Sequence, residues 1–244
     1  MDDLFSKKWK LTNERICKPK KYLSPKRVKY EYASDLAKEI GDIKDTRIFA
    51  LVSGRFIAGD LIEALCVENN WSVERMTIST LSMSQDNIDS LKNLVDGGYV
   101  EQLDIIVSEF FYSHERGKDG LIKYIYDCLD VDDTFQLAVA PVHTKMCMIK
   151  TKCGLNIVIH GSANLRSSRN IENIIIEDCK ELYNFNMEWH DLLLESYSTI
   201  RKPIRGKKLW RVVQQKEAAE KSPAAKQKQA KEALRKNNIN DQTF

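Results

Sequence analysis

The sequence predicts an α/β protein built on a mixed β-sheet flanked by helices. Three observations carry this expectation. Short apolar runs with strand character alternate with amphipathic helical runs from residue 47 to residue 140. Two further strand-like runs are joined by a short turn containing Gly154, and one more strand and a long helix follow them. Alternating elements place helices on the faces of a sheet, and the hairpin makes that sheet mixed rather than wholly parallel.

The elements follow in order. Arg47–Val52 (RIFALV) is a short apolar strand, and Ser53-Gly54-Arg55 turns the chain. Ala58–Val67 repeats apolar residues at helical spacing, at Leu61, Ile62, Leu65 and Cys66. Val73–Thr80 (VERMTIST) alternates as a strand. Ser84–Val95 reads as a helix with Ser84 at its N-cap, stopped by Gly97-Gly98. Leu103–Ser108 is a strand, Gly120–Leu129 an amphipathic helix, and Thr134–Ala140 a strand ending at Pro141. Val142–Lys150 and Leu155–His160 form the hairpin. Ile171–Glu177 is a strand and Glu181–Tyr197 the last helix. His114, in FFYSHERGK, reads as a loop residue, and His190 as a partly buried one on the last helix.

At 244 residues and 43% hydrophobic, the chain can bury one sizeable core with arms to spare. No apolar run is long enough to span a bilayer, and the charged start MDDLFSKKWK has no apolar signal region. The expectation is a non-exported, cytoplasmic protein with no membrane partner. Its six cysteines (Cys17, Cys66, Cys128, Cys147, Cys153, Cys179) follow no framework spacing and are expected to be reduced.

The net charge of +3 conceals a partition. Residues 1–30 hold ten basic and three acidic residues, residues 200–244 thirteen and four, and residues 31–199 carry a net −13. This divides the chain into a basic N-terminal arm (1–30), a folded domain (31–199) and a basic tail (200–244). An acidic body with two basic arms suits a protein that meets nucleic acid, DNA foremost, through the arms. Trp9 stands among Lys7, Lys8 and Lys10, and Trp210 among Lys207, Lys208 and Arg211, offering stacking beside charge. Packing of the arms on the body is the competing explanation for both tryptophans.

Chemistry concentrates in two strings, His143-Thr-Lys145 and Gly161-Ser-Ala-Asn164. A histidine is a competent nucleophile toward phosphorus. A lysine ammonium neutralises a phosphate oxygen, and Ser and Asn donate further hydrogen bonds to it. Strand alternation puts His143, Lys145 and Cys147 on one face and Lys150 on the other. Neither string is informative alone; their placement on neighbouring strands is.

With Asn170-Ile171-Glu172-Asn173, these strings resemble the signature of the phospholipase D superfamily, H-x-K-x4-D-x6-G-S-x-x-N, and are most similar to its single-motif, endonuclease-like and prophage-type members. The resemblance covers residues 47–197 and neither arm. It implies a phospholipase D-like sandwich with a mixed sheet, and a phosphodiesterase acting on nucleic acid through a phosphohistidine. His143 is then the nucleophile, and a second His143 from another copy protonates the leaving oxygen. Lys145 and Asn164 hold the phosphate, Ser162 supports them, and Glu172 accepts a hydrogen bond from an imidazole. One motif per chain implies a homodimer, and no metal or other cofactor is called for. Arg166 and Arg169 are placed to reach flanking phosphates.

The sequence departs from the signature in three places. Its Asp falls at Lys150, the stretch from Lys145 to Gly161 is about four residues longer than the pattern, and Arg166 follows Leu165 where a second Asn belongs. A catalytically impaired nucleic-acid-binding or scaffold protein is therefore the alternative. A zinc site from His143, Cys147, Cys153 and His160 is a third reading, weakened by spacing unlike that of zinc knuckles.

Overall fold

The computed structural model describes residues 32–198 except 42, 45, 53–55, 132–133 and 167–169. Both basic arms, the Ser53–Arg55 turn, Arg169, Lys207, Lys208 and Arg211 lie outside the described residues. The elements run α1 (Ala33–Ile40), β1 (Arg47–Val52), α2 (Ala58–Glu68), β2 (Val73–Thr80), α3 (Gln85–Asp96), β3 (Leu103–Ser108), α4 (Glu109–Glu115), α5 (Leu121–Leu129), β4 (Phe135–Ala140), β5 (Met146–Thr151), β6 (Asn156–Gly161), β7 (Glu172–Asp178) and α6 (Lys180–Tyr197).

The seven strands form one mixed sheet in the order β1-β7-β6-β5-β2-β3-β4. β2, β3 and β4 are parallel, and the pairs β2–β5, β5–β6, β6–β7 and β7–β1 are antiparallel. β3 (LDIIVS), flanked by β2 and the edge strand β4, is buried along its whole length, as a parallel strand covered on both faces must be. On one face α6 lays Leu193 and Leu194 against Ile106, Ala138, Ala140 and Val142, and Tyr183 and Met187 against Met148 and Val158. On the other face α2 sets Leu61 and Ile62 near Ile78, Cys147, Ile159 and Ile174. Asn87, wholly buried on α3, accepts a hydrogen bond from the Gly59 amide at 2.7 Å and so clips α3 to the start of α2. α6 stops short of β1, where Phe49 and Leu51 remain 60% and 61% exposed. Among the described residues no helix is long and apolar enough to cross a membrane.

All seven expected strands are present; two helices, α1 and α4, were not expected. His114 sits in the last turn of α4 rather than in a loop, with Nδ1 2.7 Å from Phe110 O. Ser84 is the N-cap of α3, but its hydroxyl oxygen accepts from Asn87 Nδ2 at 2.9 Å and caps no backbone amide. The hairpin turn uses Gly154 at φ +95°, a conformation that side-chain-bearing residues avoid.

His190 is fully rather than partly buried. It stacks on Trp189 with ring centroids 3.6 Å apart, and its Nδ1 lies 2.8 Å from Asn186 O. Burial holds the ring neutral and pulls its pKa down to about 3. The unfolded chain therefore takes up a proton near pH 6.5 that the folded chain refuses. Stability is expected to fall as pH drops from 6.5 toward 3, by up to about 1.4 kcal/mol per pH unit from this residue. Urea unfolding of wild type and His190→Leu across that range checks this: the variant's curve should be flatter, and equal slopes would remove His190 from the account.

The largest correction concerns residues 142–145, expected in the ladder and found outside it. β4 is the sheet edge and β5 lies three positions inward. Three strand spacings are about 14 Å, and the six Cα steps from Ala140 to Met146 reach about 20 Å when extended. The segment therefore spends most of its reach crossing the ends of β3 and β2, which keeps it out of the ladder.

Candidate active site

That crossing fixes where the first string lies. Thr144 Oγ1 is 2.9 Å from Ser79 Oγ, which ties the crossing segment to the end of β2. Lys145 folds back on its own turn: its ammonium donates to His143 O at 2.9 Å and to His143 Nδ1 at 3.2 Å. An ammonium has only protons to give, so Nδ1 is the accepting nitrogen, and in the neutral ring the proton resides on exposed Nε2. Burial lowers the Lys145 pKa from its ordinary value, and the nearby Glu172 carboxylate works against that shift.

The second string arrives from β6 at the same end of the sheet. A Cβ on Gly161 would lie 2.0 Å from Asn173 O, so only glycine permits β6 and β7 to approach this closely. The Ser162 amide donates to Asn173 O at 3.0 Å, and the Asn173 amide donates back to Ser162 Oγ at 3.0 Å. The Ser162 hydroxyl gives its proton to Glu172 Oε2 in a short hydrogen bond. Both capacities of that hydroxyl are thus in use, and Ser162 braces the loop. Within one chain Glu172 takes the Ser162 proton through Oε2.

Leu165 is held on both sides, its amide by Thr80 Oγ1 at 3.2 Å and its carbonyl by the Ser84 amide at 2.8 Å. This sets Asn164 and Arg166 beside Glu172, Phe56 and Ala58 in a small hollow. Asn164 Oδ1 is buried there without a hydrogen-bond partner among the described residues. Native proteins leave few such atoms, and one inside a hollow marks a place completed by a ligand or a water. Behind Lys145 lies a mainly apolar cavity of about 40 Å³ under α2.

The structure thus brings together His143, Lys145, Ser162, Asn164, Glu172 and Arg166 at the end of the sheet where β2 and β6 finish and β5 and β7 begin. Asn173, Ser79 and Thr80 do the positioning, and the sequence reading missed the last two. Their signal was present in VERMTIST, where Thr77, Ser79 and Thr80 are hydroxyl-bearing residues in a strand and all are buried. Lys150, at the position of the signature's Asp, lies four residues along β5 from Met146, about 13 Å away, and pairs with Glu74 at 2.8 Å. Its separation from the site is therefore one of distance along the strand.

The four zinc candidates do not converge. Cys153 lies in the hairpin turn, Cys147 is buried, and His160 sits at the opposite end of β6. His160 Nε2 instead lies 3.3 Å from Glu177 Oε1, and Arg47 Nε donates to the other oxygen at 2.9 Å. Burial raises the Glu177 pKa, but these two partners outweigh it and hold the carboxyl below the ordinary range.

No protein-family model matches the chain, and neither does any curated protein. Solved structures do. The phospholipase D family member Nuc from Salmonella typhimurium is 14% identical, with 62% of this chain and 96% of that one covered and a TM-score of 0.45. NucT from Helicobacter pylori is 20% identical, covering 62% and 98%, with a TM-score of 0.43. Phosphatidylserine synthase from Haemophilus influenzae is 12% identical, covering 79% and 46%, with a TM-score of 0.47. The likeness is one of fold.

Proposed function

We propose that this chain is a cytoplasmic phosphodiesterase that cleaves nucleic acid through a phosphohistidine intermediate, working as a homodimer without a metal. The observation that supports this best is the convergence of His143 and Lys145 with the Gly161–Asn164 loop and Glu172, from separate segments of the chain, on one end of the sheet. The substrate class rests on charge: the basic arms suit a polyanion. The 40 Å³ cavity behind Lys145 adds to this, because it has room for water but not for a lipid chain.

The chemistry follows from the groups present. An incoming phosphate draws the Lys145 ammonium off His143 Nδ1, so that nitrogen can carry the ring proton and leave the Nε2 lone pair free. Nε2 attacks phosphorus, and the bond to the leaving oxygen breaks. That oxygen takes a proton from a second imidazole, which enters the step protonated and leaves it neutral. Water then attacks phosphorus, the bond to Nε2 breaks, and the water's proton passes to the second imidazole, which restores both rings. Lys145, Asn164 and Arg166 stabilise the charge on the phosphoryl oxygens. The second imidazole is His143 of another copy, because His160 is committed to Glu177. The free lone pairs of Glu172 are available to that partner's ring.

Purified protein is expected to cleave bis-p-nitrophenyl phosphate in EDTA and to scatter light as a dimer. A strict monomer would sink the two-imidazole mechanism. Silence on both this diester and plasmid DNA, with DNA binding intact, would instead identify a binding module. Deleting 200–244 removes thirteen of 38 basic residues. DNA affinity is expected to fall about tenfold or more, with a shallower dependence on salt. Fluorescence anisotropy against salt concentration reads this, and an unchanged slope would exclude the tail from binding.

A further inference from the structure

The hollow beside Asn164 has a volume of about 20 Å³, which holds one water or one hydroxyl and excludes a nucleobase. Val52, Phe56 and Ala58 supply apolar lining, and Asn164 and Glu172 supply polar lining. Arg166 also borders it and is exposed. A space this small selects its occupant by the hydrogen bond that occupant makes.

The atom left unsatisfied is an acceptor. Asn164 Oδ1 is buried and receives no hydrogen bond among the described residues. The Ser162 hydroxyl cannot serve it, because its proton is given to Glu172 Oε2. A phosphodiester cannot serve it either, since its oxygens only accept. The backbone on both sides is pinned, Ser162 to Asn173 and Leu165 to Thr80 and Ser84, so the loop has little freedom to carry Oδ1 to another donor. The hollow is therefore shaped for a small group that donates.

One such group exists on a nucleic-acid backbone. The ribose 2′-hydroxyl sits on the carbon next to the one that carries the 3′-phosphate, and deoxyribose has no donor there. We propose that Asn164 reads this hydroxyl and that the chain prefers RNA to DNA. Its Nδ2 donates to a phosphoryl oxygen while Oδ1 accepts from the 2′-hydroxyl of the nucleotide on the 5′ side of the scissile phosphate. A deoxyribose in that place leaves Oδ1 buried and unpaired, which is the penalty that discriminates. Contacts to phosphates carry no such information, so the basic arms serve both polymers alike. The inference rests on the phosphodiesterase reading and names the substrate class of that site.

Cleavage of one single-stranded sequence, made with ribose, deoxyribose or 2′-fluororibose and assayed in EDTA with the full chain, tests it. The fluorinated sugar keeps the ribose pucker but cannot donate. kcat/KM on ribose should exceed that on either other sugar by about tenfold to a hundredfold. Asn164→Ala should slow all three and bring the ratios close to unity, whereas Lys145→Gln should slow all three and leave the ratios in place. Equal rates on ribose and deoxyribose overturn the proposal. So does a fluorinated strand cut like ribose, which would show that sugar shape is read, and so do ratios that Asn164→Ala preserves. Products ending in a 2′,3′-cyclic phosphate overturn it as well, because the hydroxyl would then be the attacking group. Wild type that cuts none of the three sinks the phosphodiesterase reading itself; the ratios of Kd for the same strands, in wild type and Asn164→Ala, then decide the proposal by the same criteria.

Discussion

His143→Ala is expected to lower turnover of bis-p-nitrophenyl phosphate by about a thousandfold or more, since removing a nucleophile that acts within a coupled set costs nearly the whole rate. The imidazole is exposed and its packing is slight, so thermal stability should change by less than about 1 kcal/mol. DNA binding through the arms should persist. This combination separates a lost reaction from a lost fold. Initial rates in EDTA, a thermal melt and an anisotropy titration on one preparation are enough. Residual turnover within tenfold of wild type would exclude His143 as the attacking group.

Gly161→Ala is the second large effect, and it acts through backbone. The new methyl would sit 2.0 Å from Asn173 O and 3.2 Å from Ile174 Cα, neither of which can rotate away. β6 and β7 must separate at their shared end. We expect a loss of about 3 kcal/mol in urea unfolding, at the upper end of the usual cost of overpacking. The Ser162–Asn173 exchange of hydrogen bonds lies at the same place, so cleavage should fall with stability. A variant that kept full activity would show that loop position is set elsewhere.

Much of this molecule was legible before its coordinates. Strands such as RIFALV and LDIIVS announce themselves by composition, and Gly154 marks its turn. The two polar strings could be recognised as one constellation because each residue type has a clear phosphate chemistry. What escaped the sequence was long-range. The chain reads identically whether residues 142–145 extend a strand or bridge the ends of two others, and only the strand order decides. Glu172 could be seen as an acceptor, but its donor depends on how closely β6 meets β7. Ser79 and Thr80 looked like ordinary strand residues because their partners, Thr144 and Leu165, lie 65 and 85 positions away.

The bridge from β4 to β5 also has a consequence for how the protein comes into being. His143 and Lys145 ride on a short span, anchored at one end in the outermost strand and at the other in the middle of the sheet. They reach their places only after β2, β3, β4 and β5 have all assembled. Partners so remote in sequence come together late, because chain closure over such distances is slow. A partly folded chain therefore carries the residues of the site without the site, and the onset of phosphate chemistry during refolding becomes a clock for completion of the sheet.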